Sequence, residues 1–176
     1  MAEPSDTDWA YAAGFVDGEG CIAVVRSFVP DRDRYVYGVH VVVANRDRAV
    51  LDWMRDVWKG WVVQVQSQSA NNSQAWHWRS PTGTSAETFL RGLRPWLRIK
   101  ADQCDNALAM IELLKRGRRT LGRTRLPQAW LRKQEKLYWT QRQLNHRGAT
   151  MFTRTPMHSP RQINRHRRLT DEARLS

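Results

Sequence analysis

Two carboxylates separated by one glycine, Asp17 and Glu19, sit in the stretch Phe15-Val16-Asp17-Gly18-Glu19-Gly20. A buried amphipathic helix closed by an Asp-Gly turn accounts for Asp17. It does not account for Glu19, held between two glycines. Two carboxylates about 5 Å apart repel by about 3 kcal/mol at an effective dielectric of about 20, so a cation is expected between them. A carboxylate, a glycine carbonyl and waters are oxygen ligands that suit Mg²⁺. Such an ion lowers the pKa of bound water and neutralises charge developing on a phosphate.

The element that presents these carboxylates is a helix predicted over residues 6 to 17, opened by Pro4-Ser5-Asp6 and stopped at the glycines. On it Ala10, Ala13, Gly14 and Asp17 fall on one face, because residues three and four apart are helical neighbours. Small residues let a second helix approach closely. The stripe is therefore the expected helix–helix interface, and a helix ending in carboxylates delivers them beside its partner's.

The next segments, 21–28 and 35–44, are rich in β-branched and aromatic residues around the polar loop VPDRDR and read as a β-hairpin. Asn45 is a good N-cap for a second helix running to Gly60. Residues 61–68 alternate apolar and amide side chains, and QAWHWRS alternates again after the turn SANNS, giving a second hairpin. Helices are expected over 85–93 and 101–115, the latter ended by Gly117. A last helix is expected from Pro127 to about Asn145. The order predicts an α+β fold: a four-stranded antiparallel sheet with helices covering one face.

The chain has 176 residues, with 29 Lys and Arg against 17 Asp and Glu, a net charge of +12. Residues 1–114 hold 12 basic and 14 acidic side chains, and residues 115–176 hold 17 and 3. The C-terminal third therefore carries the field, and a polyanion, nucleic acid before an anionic membrane, is the expected partner. Cys21 and Cys104 are too few for a disulfide framework and lack metal-type spacing, which fits a reducing, cytoplasmic setting. No apolar run reaches the roughly 18 residues of a membrane span, and the start lacks a signal-peptide pattern. The five histidines show no ligand-like or triad-like spacing.

Ala12 to Gly20, AAGFVDGEG, resembles the signature of the LAGLIDADG homing endonucleases, with Ala12 in place of the usual Leu. LRPWLRIKADQ, residues 93–103, resembles that family's segment bearing a basic active-site residue before a helix, and the α-β-β-α-β-β-α order matches its core. LYWTQRQLNHRG looks like the C-terminal helix of free-standing members. The resemblance divides the chain into a core over 1–117, a basic loop and helix over 118–148, and a basic tail over 149–176. It implies a homodimer that hydrolyses both strands of a long pseudo-palindromic DNA site with Mg²⁺ and supports intron homing. Other classes remain: a non-cutting DNA-binding regulator of the same fold, or an intron RNA maturase. The setting implied is intracellular, the nucleoid and organelle matrix included.

Carried over residue by residue, the resemblance makes Glu19 the metal carboxylate with the Gly18 carbonyl, and Lys100 the basic residue near the scissile phosphate. Glu19 replaces the commoner Asp. Arg48 and Asn45 fall where a second basic and a water-positioning residue sit. The sheet would lie along the major groove. There Gln64, Gln66 and Gln68 are expected outward with Val63 and Val65 inward, and His77 and Arg79 outward with Trp76 and Trp78 inward. Ser27, Tyr35 and Tyr37 are expected on the same DNA face. Arg116, Arg118, Arg119 and Arg123 are expected on phosphates, adding affinity and salt dependence.

Overall fold

The computed structural model describes residues 3–65, 74–121 and 127–146, all within one compact unit that ends at His146. Its elements are α1 (Asp6–Glu19), β1 (Gly20–Val29), a 3₁₀ turn (Pro30–Arg32), β2 (Arg34–Asn45), α2 (Arg48–Trp58), β3 (Trp61–Val65), β4 (Ala75–Arg79), α3 (Thr84–Leu93), α4 (Ala101–Leu121) and α5 (Gln128–Asn145). All strands pair antiparallel, in the order β1-β2-β4-β3.

Helix α1 starts where Ser5 and Asp8 form a reciprocal capping box, which satisfies two of the first-turn N–H groups. It runs through Gly18 to Glu19, two residues beyond the predicted stop. Asp47, not Asn45, caps α2 by accepting from Ala49 N–H at 2.9 Å. Asn45 instead ends β2 and accepts from Asp47 N–H at 2.7 Å. Gly117 does not end α4, which continues to Leu121. A glycine inside a helix costs only about 1 kcal/mol, and this one is buried in the fold.

The core lies between the helices and one face of the sheet. Ile22, Val24, Val39, Val41, Val43 and Trp78 from the strands meet Ala12, Ala13, Val16, Leu51, Met54, Phe89 and Leu90 from the helices. Trp9, Trp58, Trp78 and Phe89 stack in tilted and edge-on contacts 5.0 to 6.1 Å apart, each such pair adding about 0.5–1.5 kcal/mol. Gly92 is required by this cluster: a Cβ there would lie 2.4 Å from the Trp9 ring. Helix α5 packs across α4 and β1. No helix among the described residues is long and apolar enough to cross a membrane.

Candidate active site

The two carboxylates of the opening stretch have opposite surroundings. Asp17 is buried, and its Oδ2 accepts from the N–H groups of Arg98 at 2.8 Å and Ile99 at 3.1 Å while Oδ1 accepts from Lys100 N–H at 2.9 Å. It therefore ties the end of α1 to the three residues preceding α4. Lys100 completes the tie: its buried Nζ donates to the carbonyls of Val16 at 2.7 Å and Asp17 at 2.5 Å. An ammonium at the carbonyl end of a helix also opposes the helix dipole there.

Glu19, two residues on, is exposed and has neither a hydrogen bond nor an ion pair among the described residues. Gly20 follows it because the chain turns back tightly. A Cβ at Gly20 would lie 2.7 Å from both the Cα and the carbonyl oxygen of Val16. Gly18 has no such constraint; a Cβ there meets nothing within 4 Å.

Glu19 and Gly18 open onto a groove of about 520 Å³ lined also by Ala10, Tyr11, Gly14, Phe15 and Asn45. This groove corrects the predicted helix face. Ala13 is fully buried and Asp17 is occupied within the chain, so neither is available to a partner helix. The small positions that line it are half-buried Ala10 and exposed Gly14 and Gly18, flanked by Tyr11 and Phe15. The three recur every four residues, and Asp17 and Ala13 lie a residue off that row. Asn45 is at the groove, as the sequence placed it. Arg48 does not line it: its guanidinium pairs with Asp52 at 3.1 Å and lies 4.7 Å over the Trp76 ring.

The sheet's outer face also differs from expectation. Directly paired residues of antiparallel strands point to the same side. Val62 pairs with Trp78 and Gln64 with Trp76, while Val63 pairs with His77 and Trp61 with Arg79. Gln64 therefore points to the helix side, and Val63 and Val65 share the outer face with His77 and Arg79. Tyr37 pairs with Arg26 and Tyr35 with Phe28, in register with buried Val24 and Val39, so both tyrosines also leave the outer face. Ser27, His77 and Arg79 do lie on it. Arg116 is exposed and pairs with Glu112 at 2.9 Å. Gln66, Gln68, Arg123 and the side chains of Arg118 and Arg119 lie outside the described residues, as does the tail.

Sequence reasoning missed three outer residues, His40, Trp61 and Val63. Burial and then the charge of Arg79 depress the pKa of both His40 and His77, which favours the neutral ring in each. The signal for His40 was the strict alternation Val39-His40-Val41, obscured by apolar residues on both strand faces.

Sequence reasoning also missed the clamp under the helix side of β1. Glu135 of α5 accepts from Arg26 at 2.6 Å, from Trp139 Nε1 at 2.8 Å and from the Tyr37 hydroxyl, and Arg26 lies over the rings of Tyr35, Tyr138 and Trp139. Burial raises the Glu135 pKa, but hydrogen bonds from Tyr37 and Trp139 and the charge of Arg26 outweigh it and hold the carboxyl below its usual range. A depressed carboxyl stabilises the fold above its unfolded pKa of about 4.3 and loses that contribution as pH falls further. Glu135→Gln is thus expected to melt lower than the parent at pH 7, by about 2–4 °C per kcal/mol lost. The gap should close below about pH 4.3; thermal melts across pH check it.

No protein-family model matches the chain, and no curated protein matches it. Solved structures do. The homing endonuclease I-CvuI, in complex with its target, superposes with a TM-score of 0.63 at 22% identity over 83% of this chain and 87% of that one. This chain has the LAGLIDADG homing-endonuclease fold. An archaeal intron-encoded homing endonuclease complexed with DNA gives 0.63 at 16% identity over 84% and 89%. The LAGLIDADG homing endonuclease I-GzeII, in complex with its DNA target, gives 0.59 at 10% identity over 86% of this chain but 55% of its own. The stretch Ala12 to Gly20, which resembles the family signature, forms the second half of α1 and the start of β1, and Glu19 stands at the exposed end of the helix.

Proposed function

We propose that this protein is a site-specific homing endonuclease that works as a homodimer and hydrolyses a phosphodiester in each strand of a long, pseudo-palindromic DNA site. One observation carries the reading: at the end of α1 a carboxylate whose side chain has no partner among the described residues is held at the mouth of a groove, while its neighbour Asp17 is fully used in building that end. The similarity to DNA-bound nucleases of the same fold supports it. Such a substrate places the protein inside the cell, in the cytoplasm, nucleoid or organelle matrix.

The Glu19 carboxylate and Gly18 carbonyl are hard oxygen donors that fit Mg²⁺. No group of three or more His, Cys, Asp or Glu that could hold a metal occurs among the described residues. One copy therefore offers a partial ligand set, to be completed by DNA phosphates and the second copy. When bound, the cation supplies an activated water and neutralises charge developing on the phosphate. Lys100 fixes the carbonyls that lead into Gly18, adding positive charge near the site. Asn45 spends Oδ1 on Asp47 N–H, which leaves its amide N–H groups to orient water at the groove.

Ala10, Gly14 and Gly18 support the dimer. A Cβ at Gly14 or Gly18 meets nothing within 4 Å, so nothing described in this chain demands glycine there. Closely packed helices do. Two copies meeting by this face form a self-complementary, two-fold contact that brings the two Glu19 residues together. That this chain spans about half of I-GzeII fits one copy supplying half of an assembly. Gly14→Leu is expected to give a monomeric mass by light scattering while the subunit stays folded, because leucine is about 1 kcal/mol the better helix former and a Cβ at this position meets nothing in the chain. A dimeric mass would contradict the interface.

The function is tested by incubating the protein with a randomised or genomic duplex library and Mg²⁺ and sequencing the cleaved molecules. A single recurrent pseudo-palindromic site is expected. Binding of a defined site without any nicking would instead identify a regulator.

A further inference from the structure

The outer face of the sheet is ordered in rows that run away from Glu19. Beyond the row of Ala44, His77 and Val63 next to α1, five rows follow: Cys21, Val42, Arg79 and Trp61, then Ala23 with His40, Val25 with Gly38, Ser27 with Val36, and Val29 with Arg34. None of these residues is buried. Side chains that make conventional hydrogen bonds stand at both ends of this series, Arg79 and His40 at one, Ser27 and Arg34 at the other. The middle row has none. Val25 is 37% exposed, and a Cβ at Gly38 would lie 3.4 Å from its Cγ2 and 3.7 Å from His40 Nε2, so the valine and the edge of the neighbouring imidazole lean over the glycine.

The four strands contain no Asp or Glu, while Arg34 and Arg79 lie on this face. A polyanion fits such a surface, and a two-stranded ribbon fits the major groove of B-DNA. Strands rise about 3.4 Å per residue and duplex DNA about 3.4 Å per base pair, so successive rows address sites about two base pairs apart. Among base edges in the major groove only thymine offers an apolar group, its C5-methyl. A valine against any other base edge removes water from donors and acceptors without replacing their hydrogen bonds.

Resting on the endonuclease reading above, we propose that Val25, leaning over Gly38, selects thymine in each half-site by contact with its C5-methyl group. The polar rows on either side fix register, and this row chooses a base without a hydrogen bond.

The test uses the site recovered by cleavage selection, with each thymine replaced singly by deoxyuridine, which lacks only the methyl. Affinity is measured in Ca²⁺ and cleavage in Mg²⁺. About fourfold weaker binding is expected at one thymine of each half-site, the value of one buried methyl-sized group. Replacing the same thymine pair by cytosine should weaken binding, and 5-methylcytosine should recover part of the loss. Val25→Ser, which removes both γ-methyl groups, should erase the preference for thymine over uracil at that position. Equal binding of every uracil-substituted site, or an unchanged preference in Val25→Ser, would overturn the methyl readout while leaving the nuclease intact. Failure to recover any cleaved site would overturn the endonuclease reading, and this inference with it.

Discussion

Glu19→Gln is expected to lower single-turnover cleavage by about 10²–10³-fold, the usual cost of removing one group that stabilises transition-state charge, while specific DNA affinity is unchanged or tighter. Glutamine has the same length and leaves the helix end alone, because Glu19 makes no hydrogen bond or ion pair among the described residues. What it removes is the charge that would hold a divalent cation. In a two-fold dimer it removes that charge twice, close to DNA phosphates, so repulsion falls and binding does not suffer. Glu19→Asp keeps the charge but withdraws it by one methylene and should cleave at an intermediate rate. The comparison of cleavage in Mg²⁺ with affinity in Ca²⁺ checks both variants. Wild-type cleavage by Glu19→Gln would sink the proposed role.

Signals confined to one element were legible in the sequence, and signals that join distant elements were not. The start of α1 was readable because Ser5 caps it locally. The helix–strand order followed from periodicity. The glycines around Glu19 set it apart from Asp17, but the partners that bury Asp17 within the chain and remove it from the predicted interface, Arg98, Ile99 and Lys100, lie 81 to 83 residues away. Gln64 illustrates a different failure. Alternation shows that a strand has two faces without showing which one is covered, and the choice was made by pairing with Trp76 on β4. In β2 both faces are apolar, so alternation alone does not orient Tyr37; its bond to Glu135, 98 residues on, holds it beneath α5 instead of on the expected DNA side. On α1, the small stripe was seen but set a residue off, since Ala13 and Ala10 are equally small and burial alone tells them apart.

Asp17→Ala should behave unlike Glu19→Gln, and the contrast separates the two carboxylates by experiment. Three N–H groups converge on Asp17, at 2.8 to 3.1 Å, in a position only 7% exposed. Hydrogen bonds to a charged group contribute about 1.5–3 kcal/mol each but are not additive, so truncation should cost about 3–5 kcal/mol. The melting temperature should fall by about 10 °C or more at 2–4 °C per kcal/mol. Asp17→Asn keeps one acceptor oxygen and turns an amide donor toward the remaining N–H groups, so it should lie between parent and Ala. Lys100 is coupled to the same change, because its Nζ is held by the carbonyls whose position Asp17 fixes. Any cleavage lost in Asp17→Ala should therefore follow the folded fraction and return on cooling, whereas that lost in Glu19→Gln should persist at every temperature where the protein is folded. If instead Asp17→Ala melts with the parent, the tie between α1 and the start of α4 contributes little to stability.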